Sequence, residues 1–320
     1  MRRLQWGMIG LGRMGESFAA ALPADQTLAG VAAHDPARAA AFAAKFGHPR
    51  VYPTYAALFA DPAIDVVYIA TTHNFHYANI KAALLAGKHV LAEKSITLNA
   101  SELRELVDLA QARHLILMEA QTIYHMPLYP ALLTAATALG TLRGMQISFG
   151  INPALPASDR LLNPALAGGA LLDIGVYALS FARLLLGGPL TLVATQMRRM
   201  VTGADDQSQT LLAGPNGEQV TVALSLQGQL PNHGVVAYKN GYLDVADYGR
   251  ADTATIVHPG QPDQVCHAGD TAQALAYEVA DMVTAIDTGE NPTLAWTQDV
   301  MATMTAMRTA WDYWYPNEQH

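Results

Sequence analysis

Short apolar runs alternate with amphipathic stretches from Leu4 to Ala120, the rhythm of β-α-β units that lay helices against a parallel sheet. The runs predict strands at Leu4–Ile9, Leu28–Ala33, Val66–Ala70, His89–Ala92 and Leu115–Glu119. Helix ends are legible between them. Asp35-Pro36 reads as a cap followed by proline at the first helical position, and Gly47 as the stop of that helix. Thr54, Asn99 and Ser101 offer similar starts, and Gly87 a similar stop.

The pattern changes near residue 121. Helices over Tyr129–Leu139 and Gly169–Leu186 bracket a strand at Leu142–Ile151, and then strands dominate: Thr191–Met197, Gln209–Ala213, Val220–Gln227, Val235–Ala237, Tyr242–Val245 and Thr255–Val257. Turn sequences such as Pro215-Asn216-Gly217 and Asn240-Gly241 separate them, which predicts an open, mostly antiparallel sheet. Two helices, about Thr271–Thr288 and Thr297–Tyr313, close the chain, the last a candidate to pack back on the first domain. The expected fold class is α/β: a doubly wound parallel sheet over residues 1–121, then an α/β domain over 122–320 with helices on one face of its sheet. The other face, expected to be apolar and uncovered, predicts a homodimer or a dimer of dimers.

A chain of 320 residues exceeds the size at which single cores stop growing, and 51% hydrophobic against 14% charged residues supports a large buried interior. The net charge of -8, with no basic cluster, argues against nucleic acid and anionic membranes as partners and for a small polar ligand. Met1-Arg2-Arg3-Leu4 runs straight into a strand, and no span of about 20 apolar residues follows, which predicts a cytoplasmic protein. Cys266 is the single cysteine and the histidines lack zinc-site spacing, so no metal is expected and Cys266 reads as a packed or surface thiol.

Gly10-Leu11-Gly12-Arg13-Met14-Gly15 follows the first apolar strand and opens a helix, the setting in which a GxGxxG pattern binds a dinucleotide. Gly10 permits the tight turn, Gly12 lets a pyrophosphate approach the backbone, and Gly15 lets helix and sheet pack closely. Arg13 and Met14 stand at the helix start, whose free N–H groups hold phosphate. The end of the second strand separates the cofactors, because an acid there bonds the ribose whereas a basic side chain accepts a 2′-phosphate. Ala33 stands where the acid is expected, His34 follows, and Asp35 reads more simply as a helix cap. Arg38, one turn on, either reaches a 2′-phosphate or is a solvated helix-face charge; the cofactor is NADP or NAD, with the balance towards NADP.

Thr71-Thr72-His73-Asn74-Phe75-His76 and Glu93-Lys94-Ser95 lie just past apolar strands, where open α/β sheets bind their ligands. Thr71, His73, His76 and Glu93 are candidates for cofactor contacts, and Lys94 is aimed at the nicotinamide region. His76 reads equally well as a satisfied structural histidine. Asp173 and Tyr177, four apart on a predicted helix, share one face among Leu171, Leu172, Ile174, Val176 and Leu179. A carboxylate in such company is paired or wetted in a cleft, the other reading being a helix cap plus a packed tyrosine.

Together Gly10 to Gly15, Gly87 to Lys94 and Gly168 to Tyr177 resemble the glucose-fructose oxidoreductase and inositol dehydrogenase (Gfo/Idh/MocA) family, in its dihydrodiol and xylose dehydrogenase branch. Glu93-Lys94 is similar to the family's Glu-Lys-Pro motif, and Asp173 with Tyr177 to its second catalytic motif; Met118-Glu119-Ala120 fits the same branch. The resemblance implies a hydride moved between nicotinamide and a carbinol carbon of a sugar, polyol or dihydrodiol. It also implies that Tyr177 exchanges the hydroxyl proton, Lys94 holds the reacting oxygen and Asp173 orients substrate or Lys94. A free tyrosine titrates at about 10, so base work near neutrality requires a cation such as Lys94 to favour the phenolate. Ser95 departs from the motif's proline, Tyr124 stands where many of the branch carry arginine, and His34 where NADP users often carry one.

Tyr77 and Lys81 match the YxxxK pair of short-chain reductases but lie too early, and the glycines are GxGxxG rather than GxxxGxG, so they read as an ordinary helix face. The fingerprint is also similar to hydroxyisobutyrate dehydrogenases, whose second domain is all-helical where this one is strand-rich. The alternative from another class is a catalytically inactive nicotinamide-binding sensor or scaffold that keeps the fold. Lys94, Asp173 and Tyr177 argue against it.

Overall fold

The computed structural model describes residues 2–156, 158–316 and 318. They form two compact units, one running to Ala120 and joined by Leu275–Leu294, the other formed by Gln121–Ala274 and the chain from Ala295.

The first unit alternates β1 (Gln5–Ile9), α1 (Arg13–Ala21), β2 (Thr27–Ala32), α2 (Pro36–Lys45), β3 (Arg50–Tyr52), α3 (Tyr55–Ala60), β4 (Val66–Ile69), α4 (His76–Leu85), β5 (His89–Glu93), α5 (Ala100–Ala112) and β6 (Leu117–Ala120). The six strands are parallel in the order β3-β2-β1-β4-β5-β6, so the chain reverses direction between β1 and β4. Ligands bind at such a switch point, beyond the carboxyl ends of the strands. Side chains alternate across the sheet. Leu4, just before β1, and Trp6 and Met8 of β1 join Tyr68, Leu91 and Met118 on one face, under Phe18 of α1 and Phe42 of α2, while the Phe18 ring stacks on Tyr68 with centroids 3.7 Å apart. The strand β3 was not expected, because Arg50-Val51-Tyr52 is too short to leave a pattern.

The second unit holds α6 (Leu128–Ala136), β7 (Leu142–Gly150), a π turn at Leu171–Gly175 that runs into α7 (Val176–Leu186), then β8 (Thr191–Arg199), β9 (Asp205–Ala213), β10 (Gln219–Ser225), β11 (Leu230–Tyr238), β12 (Gly241–Ala246), β13 (Thr253–Val257) and β14 (Gln264–His267). The sheet runs β14-β13-β12-β11-β7-β10-β9-β8, antiparallel throughout except for β7 beside β10. The π turn and α7 lie on β7 and β10, and α6 on β13 and β14. Close packing here needs glycine in a strand, since a Cβ at Gly234 would fall 2.4 Å from the Phe181 ring of α7.

The open face corrects one expectation. It is not apolar: one row across the strands reads Thr255, Asp244, Val235, Gln146, Thr221, Leu211 and Ala194. Buried neighbours such as Ile256, Leu243, Val236, Met145, Val220 and Leu212 alternate with that row, the pattern of a sheet covered on one side.

Two helices complete the chain, α8 (Ala274–Thr288) and α9 (Leu294–Ala310). The helix that returns to the first unit is α8, the penultimate rather than the last, and it adds Val279, Met282, Val283 and Ala285 to the core around Trp6 and Tyr68. The helix α9 belongs to the second unit, tied to α7 by Arg183 Nε donating to Asp299 at 2.6 Å. No helix of the described residues is long and apolar enough to cross a membrane.

Candidate active site

The glycines of the fingerprint differ as their chemistry requires. Gly10 has φ of 84°, and a Cβ there would strike the Ala70 carbonyl carbon at 2.2 Å. A Cβ on Gly15 would meet the Gly10 carbonyl oxygen at 2.6 Å, so this glycine is what brings α1 down onto the turn. A Cβ on Gly12 would meet nothing within 4 Å, and α1 starts there with no side-chain cap on its first N–H groups. That cradle fits a pyrophosphate. Arg13 is exposed and Met14 half-buried beside it.

At the end of β2, Asp35 accepts from Ala37 N at 2.9 Å and caps α2. Arg38 Nη2 donates to the Leu11 carbonyl inside the glycine turn at 3.2 Å. Its charge also reaches the Tyr55 phenol, which burial holds above its ordinary pKa and Arg38 pulls back down. The exposed His34 ring sits 4.8 Å from the same tyrosine. The three side chains frame a basic corner beside the turn.

The loop after β4 and the end of β5 are laced together by histidines. His73 Nε2 lies 3.1 Å from the Lys94 carbonyl oxygen, His76 Nδ1 lies 2.9 Å from that of Ser95, and His76 Nε2 lies 2.8 Å from that of Thr71. Glu119, buried at the end of β6, accepts from Ile96 N at 3.0 Å. Three successive residues, Lys94 to Ile96, are thus each held through the backbone, and the Lys94–Ser95 peptide is cis. This corrects the expectation for His76: with 0% exposure and both ring nitrogens on backbone carbonyls, it ties the two loops together and offers no surface to a cofactor. Glu93 is likewise turned inward, accepting from the Tyr68 hydroxyl. Thr71, half-buried, accepts from Asn79. Among residues 90–99 every side chain is buried save Lys94.

The second unit repeats that pattern. From residue 167 to 185 only Asp173 and Tyr177 reach solvent, and they do so from one helical face of an otherwise buried segment. Arg160 Nη2 approaches Asp173 Oδ1 at 3.6 Å. The Tyr177 ring lies 6.4 Å from that of Phe149, and Gly249 leaves its edge open, since a Cβ there would come within 3.2 Å. Tyr124 is buried, its hydroxyl 2.9 Å from Ser180 Oγ of α7 and its ring edge-on to Trp296. By contrast Tyr77 and Lys81 form an exposed cluster with Glu105 between α4 and α5.

Comparison with known proteins follows the same division. Residues 4–121 match the oxidoreductase family with an NAD-binding Rossmann fold, Gfo/Idh/MocA, and residues 132–243 match a Gfo/Idh/MocA C-terminal domain. A trans-1,2-dihydrobenzene-1,2-diol dehydrogenase of Sus scrofa is 37% identical over 76% of this chain and 74% of its own, and its Homo sapiens counterpart is also 37% identical. The chain belongs to the Gfo/Idh/MocA oxidoreductase family.

Among solved Gfo/Idh/MocA-like structures, a 3-ketoreductase from Actinomadura kijaniata, in complex with NADP and TDP-benzene, superimposes with a TM-score of 0.86 at 25% identity, covering 96% of this chain and 98% of that one. A UDP-N-acetylglucosamine 3-dehydrogenase from Acidithiobacillus ferrooxidans gives a TM-score of 0.81 at 27% identity, covering 97% and 98%. As a Gfo/Idh/MocA oxidoreductase the protein uses NAD or NADP, and the open cradle at Gly12 is where its own residues fit the pyrophosphate. Two residues escaped the reading of the sequence: Glu119, visible there only as part of a motif, and Asp205, which begins β9 four residues before the expected strand. Two adjacent aspartates, Asp205 and Asp206, look like a turn; the alternation that follows them was the available signal.

Proposed function

We propose that the protein moves a hydride between a nicotinamide and a carbinol or carbonyl carbon of a small polyhydroxy substrate, a sugar, polyol or dihydrodiol. The observation that carries this reading is the selective exposure of Lys94, Asp173 and Tyr177 from buried runs. Relatives named for a dihydrodiol and for the 3-position of UDP-N-acetylglucosamine support the substrate class.

The nicotinamide, when bound, supplies the hydride acceptor or donor. Lys94, fixed through its own carbonyl, that of Ser95 and the Ile96 N–H, holds the reacting oxygen and favours its anionic form. Tyr177 exchanges the hydroxyl proton, and Asp173, with Arg160 beside it, orients the substrate through its hydroxyls. Gly10, Gly12 and Gly15 with the start of α1 hold the pyrophosphate, and Arg38 with His34 receives a 2′-phosphate, which favours NADP. The reading extends to a cytoplasmic homodimer that closes the mixed polar face of the second sheet.

Nicotinamide absorbance during turnover tests the proposal, with NADP and NAD offered separately against aldoses, inositols and dihydrodiols. Wild type should turn over, while Lys94→Ala and Tyr177→Phe fall by at least about 100-fold with cofactor affinity kept. Cofactor binding without turnover on any substrate of the panel would move the protein to a nicotinamide sensor.

A further inference from the structure

We propose that Asp205 is a positioning residue for Asp173 and Tyr177, its buried carboxylate clamping the start of the helical segment that carries both. The inference rests on the roles given above to those two residues.

Asp205 opens β9 with 1% of its surface exposed, and its Oδ2 accepts from Leu171 N at 2.7 Å. The Ala170 N–H lies beside the same carboxylate and favours its charged form. These are the first donors of the π turn that leads through Asp173 into Tyr177, so one side chain fixes where that segment begins. Two glycines make the approach possible. A Cβ at Gly169 would fall 1.8 Å from Asp205 Oδ1, and φ there is 135°, a region only glycine enters freely. A Cβ at Gly168 would strike the Arg160 carbonyl oxygen at 2.2 Å, which brings the turn bearing Arg160 against the same start. Arg160 is the cation beside Asp173. The carboxylate therefore sits where the helix and the turn that flank Asp173 converge.

Its charge is sparsely matched. Oδ1 has no hydrogen-bond partner among the described residues. The cation that faces it is Arg308 of α9, itself buried against Glu318 and donating to the Tyr313 carbonyl at 3.3 Å. Tyr313 and Tyr315 of the C-terminal segment face the same space, with phenols that burial drives upward, and on its own strand Asp206 is turned to Arg198 at 2.6 Å. Burial accordingly pushes Asp205 up to about 6. Only the ionised carboxylate is an acceptor at both oxygens; protonation or an amide replaces one of those acceptors with a donor beside the start of the π turn.

Asp205→Asn is the test, with Asp205→Ala beside it. The expected result is kcat lowered at least about tenfold with the cofactor Kd unchanged, a thermal midpoint at pH 8 equal to or above wild type, and an acid limb near pH 6 in the wild-type kcat profile that Asp205→Asn lacks. Wild-type kcat in Asp205→Asn with its profile unchanged overturns the proposal. So does activity lost in step with stability, which makes the residue purely architectural. Hydrogen exchange over residues 168–186 needs no substrate: it should rise in Asp205→Asn, and unchanged exchange also overturns the proposal. Tyr177→Phe is run in parallel, because full activity there removes the role assigned to Tyr177 whatever Asp205 does.

Discussion

Arg38 illustrates how one side chain acquires a meaning that sequence leaves divided. Its guanidinium is anchored to the Leu11 carbonyl, which turns a helix-face charge towards the glycine turn. Charge-assisted bonds to a 2′-phosphate are worth about 1.5–3 kcal/mol, so Arg38→Ala should weaken NADP by roughly 10- to 100-fold and leave NAD almost unchanged, as fluorescence titration would read. Equal losses for both cofactors would remove the 2′-phosphate role. The three fingerprint glycines and the half-buried trio Lys94, Asp173 and Tyr177 were legible because each is a residue type out of place in its surroundings. His76 has two readings in the sequence because a histidine in a ligand loop has the same signature whether its ring faces the ligand or two carbonyls, and its ring meets the carbonyls of Ser95 and Thr71. Asp205 carries a pH sign of its own. A carboxyl raised from 3.8 to about 6 by folding binds protons more tightly in the folded state, so stability falls as pH rises through that window and the penalty stands in full above it. Asp205→Asn therefore gains most above pH 6, by as much as about 3 kcal/mol.

At the scale of elements, the parallel strands were legible because strands covered on both faces are nearly continuous apolar runs. The strands β3 and β14 were not, being short and lying at sheet edges where no burial imposes a pattern. Helix starts were readable from their caps, and α5 shows why: Asn99 accepts from Glu102 N at 2.9 Å while Glu102 accepts in return from Leu98 N at 3.0 Å. Asn99→Ala should cost about 1 kcal/mol, seen as a lower urea midpoint with an unchanged slope. A loss within error would mean that Glu102 alone holds that end. The π turn at Leu171–Gly175 left no mark in the sequence, and the partner of its first N–H, Asp205, comes from a distant strand.

At the scale of the whole molecule, the uncovered face of the second sheet is where the proposed dimer would form. Its mixture of Thr, Gln and Asp with Val235, Leu211 and Ala194 suits a wet, self-complementary interface better than the apolar one expected of an open antiparallel sheet. Light scattering should find a dimer in wild type and a monomer in Val235→Arg, whose added charge lies on a central strand. A wild-type monomer at assay concentration ends the idea. The return of α8 to the first unit has a consequence for how the protein is made. The face around Trp6, Tyr68 and Met118 leaves the ribosome early, yet the residues that finish covering it, Val279, Met282 and Val283, are encoded beyond the whole of Gln121–Ala274. At about 5–20 residues per second that gap lasts roughly 8–30 s, during which the nascent nucleotide-binding half is a client for chaperones rather than a finished domain.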